Sequence, residues 1–190
     1  LSKFHDKYAE LYQKLKQKKD AHNVAKQLDD TVVDFKELKK RIEEENGIES
    51  PEALMINLYD QITPRNDFDS LTFDTSDPNH IDLKTGTITI TQFGKTKDKY
   101  QPIINYKLTP KLIKMLKESV SKKPRDTVFT KKMRSIFKKA KTGVNEIRHS
   151  KISTELKGSK LTDATKREEL RKKMFHSSAT QLKYLRTIKT

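Results

Sequence analysis

Apolar residues recur every three or four positions along most of this chain, which is the spacing of one helical face. Near the N-terminus the pattern covers residues 4–15 and is followed by a charged stretch. A second helical period runs from Val24 to Ile42, with a break predicted at the Asp29–Asp30 pair and a stop at Gly47. The chain is therefore expected to begin with helices.

Further helices are predicted where proline or glycine marks a boundary. Ser50 and Pro51 provide an N-cap and a first turn, and this helix must end near Pro64 because proline restricts the residue before it. Later helices are predicted over residues 110–122, 130–142, 144–157 and 162–174, with a last one bearing Leu182, Leu185 and Ile188.

Between residues 74 and 106 the pattern changes to alternation with β-branched residues, which is typical of strands. Strands are predicted over residues 80–83, 87–91 and 100–104. A turn at Gly86 joins the first two, and a Gly- and Lys-rich hairpin turn over residues 93–99 joins the last two. The expected fold is α+β, mainly helical, with a small three-stranded antiparallel sheet.

Composition narrows the class of protein. The 190 residues show no repeat and contain no cysteine, which excludes disulfides, thiol chemistry and a Cys-based zinc site. Residues 107–190 hold 25 Lys and Arg against 7 Asp and Glu, whereas residues 1–106 hold 16 against 19. A strongly basic half beside a nearly neutral half indicates a polyanion bound on one face, with nucleic acid as the leading partner and an anionic membrane surface well behind. A solvated Lys-rich surface with no partner would have the same composition.

Candidate chemistry is concentrated in the last third of the chain. Arg148 lies in a short amphipathic helix, His176 heads a Ser-Ser turn, and Tyr184 follows on the next predicted helix. A guanidinium and an imidazole can hold a phosphodiester, and a phenol can attack it to give a covalent phosphotyrosine. No metal is needed where enough cationic donors converge.

The order and surroundings of these residues resemble the catalytic domain of the tyrosine recombinase, or phage-type integrase, family. Residues 147–154 read IRHSKIST and match the family's arginine box, and residues 176–180 read HSSAT and match its His-Ser-Ser box. Two departures occur: Phe175 replaces the usual glycine, and Tyr184 follows His176 by eight residues, one fewer than is common. The Pro-Arg-Asn-Asp sequence at residues 64–67 looks like the form found in viral and mobile-element members.

The resemblance assigns three more catalytic residues. Arg65, in a turn after a helix, corresponds to the first catalytic arginine, with Asp67 or Asp69 available to hold its guanidinium. Lys95 in the hairpin turn corresponds to the lysine that protonates the leaving 5′ oxygen. Asn145 stands where the family has histidine or lysine, and it can donate a hydrogen bond without exchanging a proton.

The resemblance also implies the partners. Double-stranded DNA is the expected substrate, held by a homotetramer, with a monomer as the alternative for this fragment. No cofactor, metal or membrane is expected, and the location is intracellular, wherever the target DNA resides. Expected DNA-contacting residues are Lys97, Lys99, Lys131, Lys132, Arg134, Lys138 and Lys139.

Residues 1–25 are expected to be a helical linker or the end of an upstream domain, and residues 26–190 the catalytic domain.

Two other functions stay open. A type IB topoisomerase uses a similar set of residues and rejoins the same strand, and a basic helical module would bind DNA without cleaving it. A metal-dependent nuclease is disfavoured, because Asp67, Asp69 and Asp74 lack a supporting His or Glu cluster.

Overall fold

The computed structural model describes residues 11, 14, 15, 31–64, 67–93, 102–157, 165, 168, 169, 187 and 188. Within these ranges the chain is α+β, as predicted. The elements are β1 Thr31–Val32, α1 Phe35–Asn46, α2 Pro51–Gln61, β2 Asn79–Asp82, β3 Thr87–Ile90, β4 Ile103–Lys107, α3 Pro110–Lys122, α4 Met133–Lys139, α5 Val144–Leu156 and β5 Thr187–Ile188, with a 3-10 turn at Asp67–Ser70. In this part of the chain no helix is long and apolar enough to cross a bilayer.

The end of α1 and the start of α2 follow the predicted capping residues, whereas α1 starts after Asp34 rather than at the break predicted at Asp29–Asp30. The Asp34 carboxylate accepts a hydrogen bond from the Lys36 amide, and Gly47 ends α1 with a φ of 82°, which favours glycine. The Ser50 hydroxyl accepts from the Ala53 amide at 3.0 Å. Helix α2 is buried around most of its circumference from Glu52 to Tyr59, so it lies at the centre of the fold.

The three-stranded sheet has the order β2-β3-β4 and is antiparallel, which confirms the prediction. The third strand begins at Ile103 and continues to Lys107, so the expected span of residues 100–104 was placed too early. A bulge between Ile88 and Ile90 shifts the register, and Asn105 opposite it has a φ of 52°. Asparagine tolerates this left-handed conformation better than most residues.

Residues Val32 and Ile188 were predicted to be helical, and that prediction is wrong. They belong to a two-residue parallel pair in which Thr31 is opposite Thr187 and Val32 is opposite Ile188. Both strands contact α5. Two segments far apart in the sequence thus meet on one helix, a pairing that local hydrophobic spacing cannot reveal.

Helix α4 starts at Met133 rather than at Thr130, because Lys132 is extended and serves as the N-cap. Its apolar face is the predicted one, with Met133, Ile136 and Phe137 in the core. Helix α5 spans the predicted residues; its Ile147 belongs to the same core cluster, and its Ile152 is also fully buried.

Candidate functional site

The structure describes two of the six predicted catalytic residues, Asn145 and Arg148. The other four, Arg65, Lys95, His176 and Tyr184, lie outside the described residues, as do the expected DNA contacts Lys97 and Lys99.

Helix α5 carries Asn145 and Arg148 one turn apart, as expected. Asn145 is exposed in the first turn, whereas Arg148 is 1% exposed and is the largest fully buried side chain among the described residues. The Arg148 guanidinium donates a hydrogen bond from Nη1 to the carbonyl oxygen of Thr63, 85 residues earlier in the sequence. The arginine box therefore meets the end of α2, two residues before Arg65.

Tyr59 belongs to the same buried region. Its ring packs edge-on against Phe68, with 4.9 Å between centroids, and lies 5.9 Å from the Phe137 ring. Burial raises the pKa of the Tyr59 phenol far above its ordinary value; the charge of Arg148 opposes that shift, and the carboxylates of Asp67 and Asp69 add to it. The Tyr59 phenol therefore stays protonated at neutral pH.

Asp69 ties the turn after Arg65 to helix α4. Its carboxylate accepts a hydrogen bond from the Met133 amide at 2.6 Å. Helix α4 has no acidic residue in its first turn, and its N-cap Lys132 makes no side-chain cap. A carboxylate at a helix N-terminus satisfies a backbone donor and complements the helix dipole. Asp69, which was predicted to be able to hold the Arg65 guanidinium, thus caps the N-terminus of α4.

Asn79 joins the same 3-10 turn to the hairpin that carries Lys95. The buried Asn79 amide donates to the Ser70 hydroxyl and to the Gln92 carbonyl, both at 2.8 Å. Its oxygen accepts from the Thr91 and Gln92 amides at 3.1 and 3.0 Å. All four contacts connect one buried amide to two loops, so the base of the hairpin is fixed relative to residues 67–70.

A cluster of cations around Asp60, which the sequence did not predict, lies between α1, α2 and α5. Lys151 is 7% exposed, and its ammonium lies 2.6 Å from the Asp60 carboxylate and 4.6 Å from the centre of the Phe35 ring. Lys39 contacts the other Asp60 oxygen at 2.7 Å. Burial disfavours the Asp60 carboxylate, but hydrogen bonds and charge from Lys151 and Lys39 outweigh burial, so the pKa of Asp60 lies below its usual value.

The cations predicted to follow a DNA backbone are on the surface. This basic face consists of Lys131, Lys132, Arg134, Lys138 and Lys139, all exposed along α4 and the residues before it. Lys139 lies 3.5 Å from the buried Glu52 carboxylate, so one member of the face also neutralises a core charge. Arg134 and Lys138 are exposed on α4 itself, and Lys131 and Lys132 immediately precede the helix.

No cluster of His, Asp and Glu in the described part of the chain is arranged to hold a metal ion. Comparisons of this chain with protein-family models, curated proteins and solved structures find no match.

Proposed function

We propose that this chain is the catalytic domain of a tyrosine recombinase, which cleaves and rejoins DNA strands through a 3′-phosphotyrosyl link. The observation that carries the proposal is the hydrogen bond from Arg148 to the carbonyl of Thr63. The proposed mechanism requires the arginine of the IRHSKIST box and Arg65 to act on one phosphate. A buried contact between Arg148 and the residue two before Arg65 brings the two backbone segments together.

Two other contacts support the same site. Strand β5 packs against α5, the helix of Arg148, and Tyr184 precedes Thr187 by three residues, which span at most about 11 Å. Asn79 fixes the base of the Lys95 hairpin to the turn that follows Arg65. These contacts tie Thr187–Ile188, near Tyr184 in the sequence, to α5, and Gln92, near Lys95, to the Asp67–Ser70 turn.

In the proposed reaction Arg65, Arg148 and His176 bind the phosphate oxygens. The Tyr184 oxygen attacks phosphorus, the bond from phosphorus to the 5′ oxygen breaks, and Lys95 gives that oxygen a proton. A free phenol has a pKa of about 10, so nearby cations are needed to favour its ionised form at neutral pH. A 5′ hydroxyl attacks the phosphotyrosine in reverse, which rejoins a strand without ATP.

The basic face suits the substrate. Its exposed lysines and arginine supply charge that displaces counterions from a DNA backbone, and the surplus in residues 107–190 has the same sign. We propose that two DNA duplexes are held by a tetramer for exchange, inside the cell that contains the target DNA. Strand exchange distinguishes this activity from the topoisomerase reaction.

One observation favours a second candidate, a basic module that binds DNA without cleaving it. Arg148 is 1% exposed, so a phosphate can reach its guanidinium only if neighbouring groups move. In a binding module Arg148 would have a purely structural task, and the basic face alone would contact DNA. The two candidates differ in one chemical product, a protein covalently linked to DNA.

The test is covalent trapping. The protein is incubated in EDTA with supercoiled plasmid and with nicked duplexes that carry candidate terminal sequences of its source element, and SDS then stops the reaction. Tyr184→Phe is the test variant, and Tyr106→Phe, on β4, is the matched control. The proposal expects an adduct with the natural chain and Tyr106→Phe, and none with Tyr184→Phe.

The form of the product then decides among the functions. Exchange of strands between duplexes supports the recombinase, whereas relaxation of plasmid by the monomer supports a type IB topoisomerase. Tight, salt-sensitive binding with no adduct on any substrate supports the binding module and overturns the proposed cleavage.

A further inference from the structure

A groove of about 520 Å³ lies on the side of the molecule formed by the start of α2, the outer face of α3 and the segment that follows α3. We call it the α2–α3 groove. Leu54, Met115, Val128 and Phe129 form its apolar base, and Ile48 is 53% exposed at its edge. Its volume is in the range of sites that take a small ligand or a few side chains of a peptide.

The far wall of the groove is held in place by Arg125. Its guanidinium donates to the carbonyl oxygens of Ser119 at 2.9 Å and Lys123 at 3.1 Å, and Nη2 donates to the Ser119 hydroxyl at 2.7 Å. It also reaches the carbonyls of Thr127 and Val128. One side chain thus links the end of α3 to the following segment, so the groove exists before any partner arrives and binding pays little ordering cost.

The rim of the groove is cationic. Six Lys and Arg line it against two carboxylates, Glu49 and Glu118. Lys122 pairs with Glu49, and Lys114 lies 3.9 Å from Glu118, but both pairs are exposed and such pairs contribute little stability. A partner's carboxylates can therefore replace these pairs at small cost.

We infer that the α2–α3 groove binds an acidic segment of another protein, with an apolar side chain on the groove base and carboxylates on the lysine rim. A DNA backbone has phosphates but no apolar side chain for Leu54, Met115 and Phe129. The termini of this chain are poor occupants, because residues 158–190 hold 9 Lys and Arg against 3 Asp and Glu, and residues 1–30 hold 7 against 5. The inference does not depend on the proposed cleavage.

The probe is a displayed library of random 12-residue peptides selected against the whole chain, followed by affinity measurements on the enriched peptides. The expected pool is rich in Asp and Glu around a Leu, Ile or Phe. Lys123→Glu combined with Lys131→Glu should weaken binding of these peptides about tenfold, because both lysines line the groove. Ile48→Ala should weaken it several-fold through lost apolar contact.

Two control variants make single substitutions of the same types elsewhere on the surface. Lys117→Glu reverses an exposed charge on α3 outside the groove, and Ile104→Ala truncates a side chain that is 64% exposed on β4. Both should leave peptide affinity within twofold of the natural chain. Thermal unfolding of every variant checks that these surface changes leave the fold intact.

Three results overturn the inference. One is a selection without acidic, apolar peptides. Another is a pool that binds the groove variants as tightly as the natural chain. The third is a loss of affinity with the lysine variants but none with Ile48→Ala, which indicates unspecific charge attraction. If Lys123→Glu weakens binding of a 20-base-pair duplex instead, the rim belongs to the DNA-binding surface.

Discussion

Two groups of cations in this protein have opposite environments. Around Asp60, Lys151 is 7% exposed and is held by a carboxylate and an aromatic ring. On the basic face, Lys132, Arg134 and Lys138 are exposed on a short helix. The side chains are chemically alike, but a buried charge must keep its partner, whereas an exposed one is free to exchange water for a phosphate.

Arg148 is buried, like Lys151, but its proposed role is to contact a phosphate, like the cations of the basic face. It is as buried as the core residues around it and donates to the backbone of Thr63. The same hydrogen bond that supports the proposed site also gives Arg148 a role in holding α5 against the end of α2. Stability and cleavage therefore have to be measured separately at this residue.

The largest effect on stability is expected from Arg148→Ala. The substitution leaves the Thr63 carbonyl without this donor and opens space in the core, which should lower the free energy of unfolding by about 3 kcal/mol. Urea unfolding followed by circular dichroism measures the loss. Arg134→Ala, on the basic face, is the control and should change stability by less than about 0.5 kcal/mol. Equal values for the two variants would refute a structural role for Arg148.

A slightly smaller effect is expected from Asp60→Asn. The change leaves the nearly buried Lys151 ammonium without its closest carboxylate, which should cost about 2 to 3 kcal/mol, with Glu155 at 3.1 Å retaining part of the pairing. Asp126→Asn removes an exposed carboxylate and serves as the control. Adding Lys151→Met to Asp60→Asn should recover much of the loss, because no buried charge then lacks a partner.

The Asp60 effect should also depend on pH in a definite direction. Because the folded-state pKa of Asp60 lies below its ordinary value of 3.8, ionised Asp60 stabilises the fold at pH values above that number. The contribution decreases as the pH falls through the lower, folded-state pKa. The stability difference between the natural chain and Asp60→Asn should accordingly be constant near neutral pH and shrink in acid. A constant difference down to pH 2 would contradict this assignment.

The comparison also explains which features the sequence could predict. Helix ends at Ser50, Gly47 and Pro64, the three-stranded sheet and the exposed basic side of α4 depend on local spacing and capping, and they are found where expected. The bulge between Ile88 and Ile90 depends on pairing between β3 and β4, so local composition did not indicate it.

Long-range contacts account for the rest. In the sequence, Lys151 stood out only as a member of the IRHSKIST stretch. Its pairing with Asp60 joins residues 91 positions apart, and local spacing did not predict it. The caps that Asp69 provides for α4 and the links that Asn79 makes to the hairpin also cross between elements. Hydrophobic periodicity contains no information about which distant polar group completes a buried hydrogen bond. The resemblance that drew attention to residues 147–154 gave no indication that Arg148 is buried.

The smallest effect on stability, and a large one on DNA binding, is expected from the basic face. The triple variant Lys132→Ala, Arg134→Ala and Lys138→Ala should unfold within about 0.5 kcal/mol of the natural chain, since these side chains are exposed. Each cation that contacts a phosphate contributes about 0.9 to the slope of log affinity against log salt concentration. The slope for duplex DNA should therefore decrease by about 3, measured by fluorescence anisotropy between 50 and 300 mM salt.

Lys84→Ala, on the turn between β2 and β3, should leave the slope unchanged. An unaltered slope in the triple variant would place the DNA on another surface and leave α4 as an ordinary solvated helix.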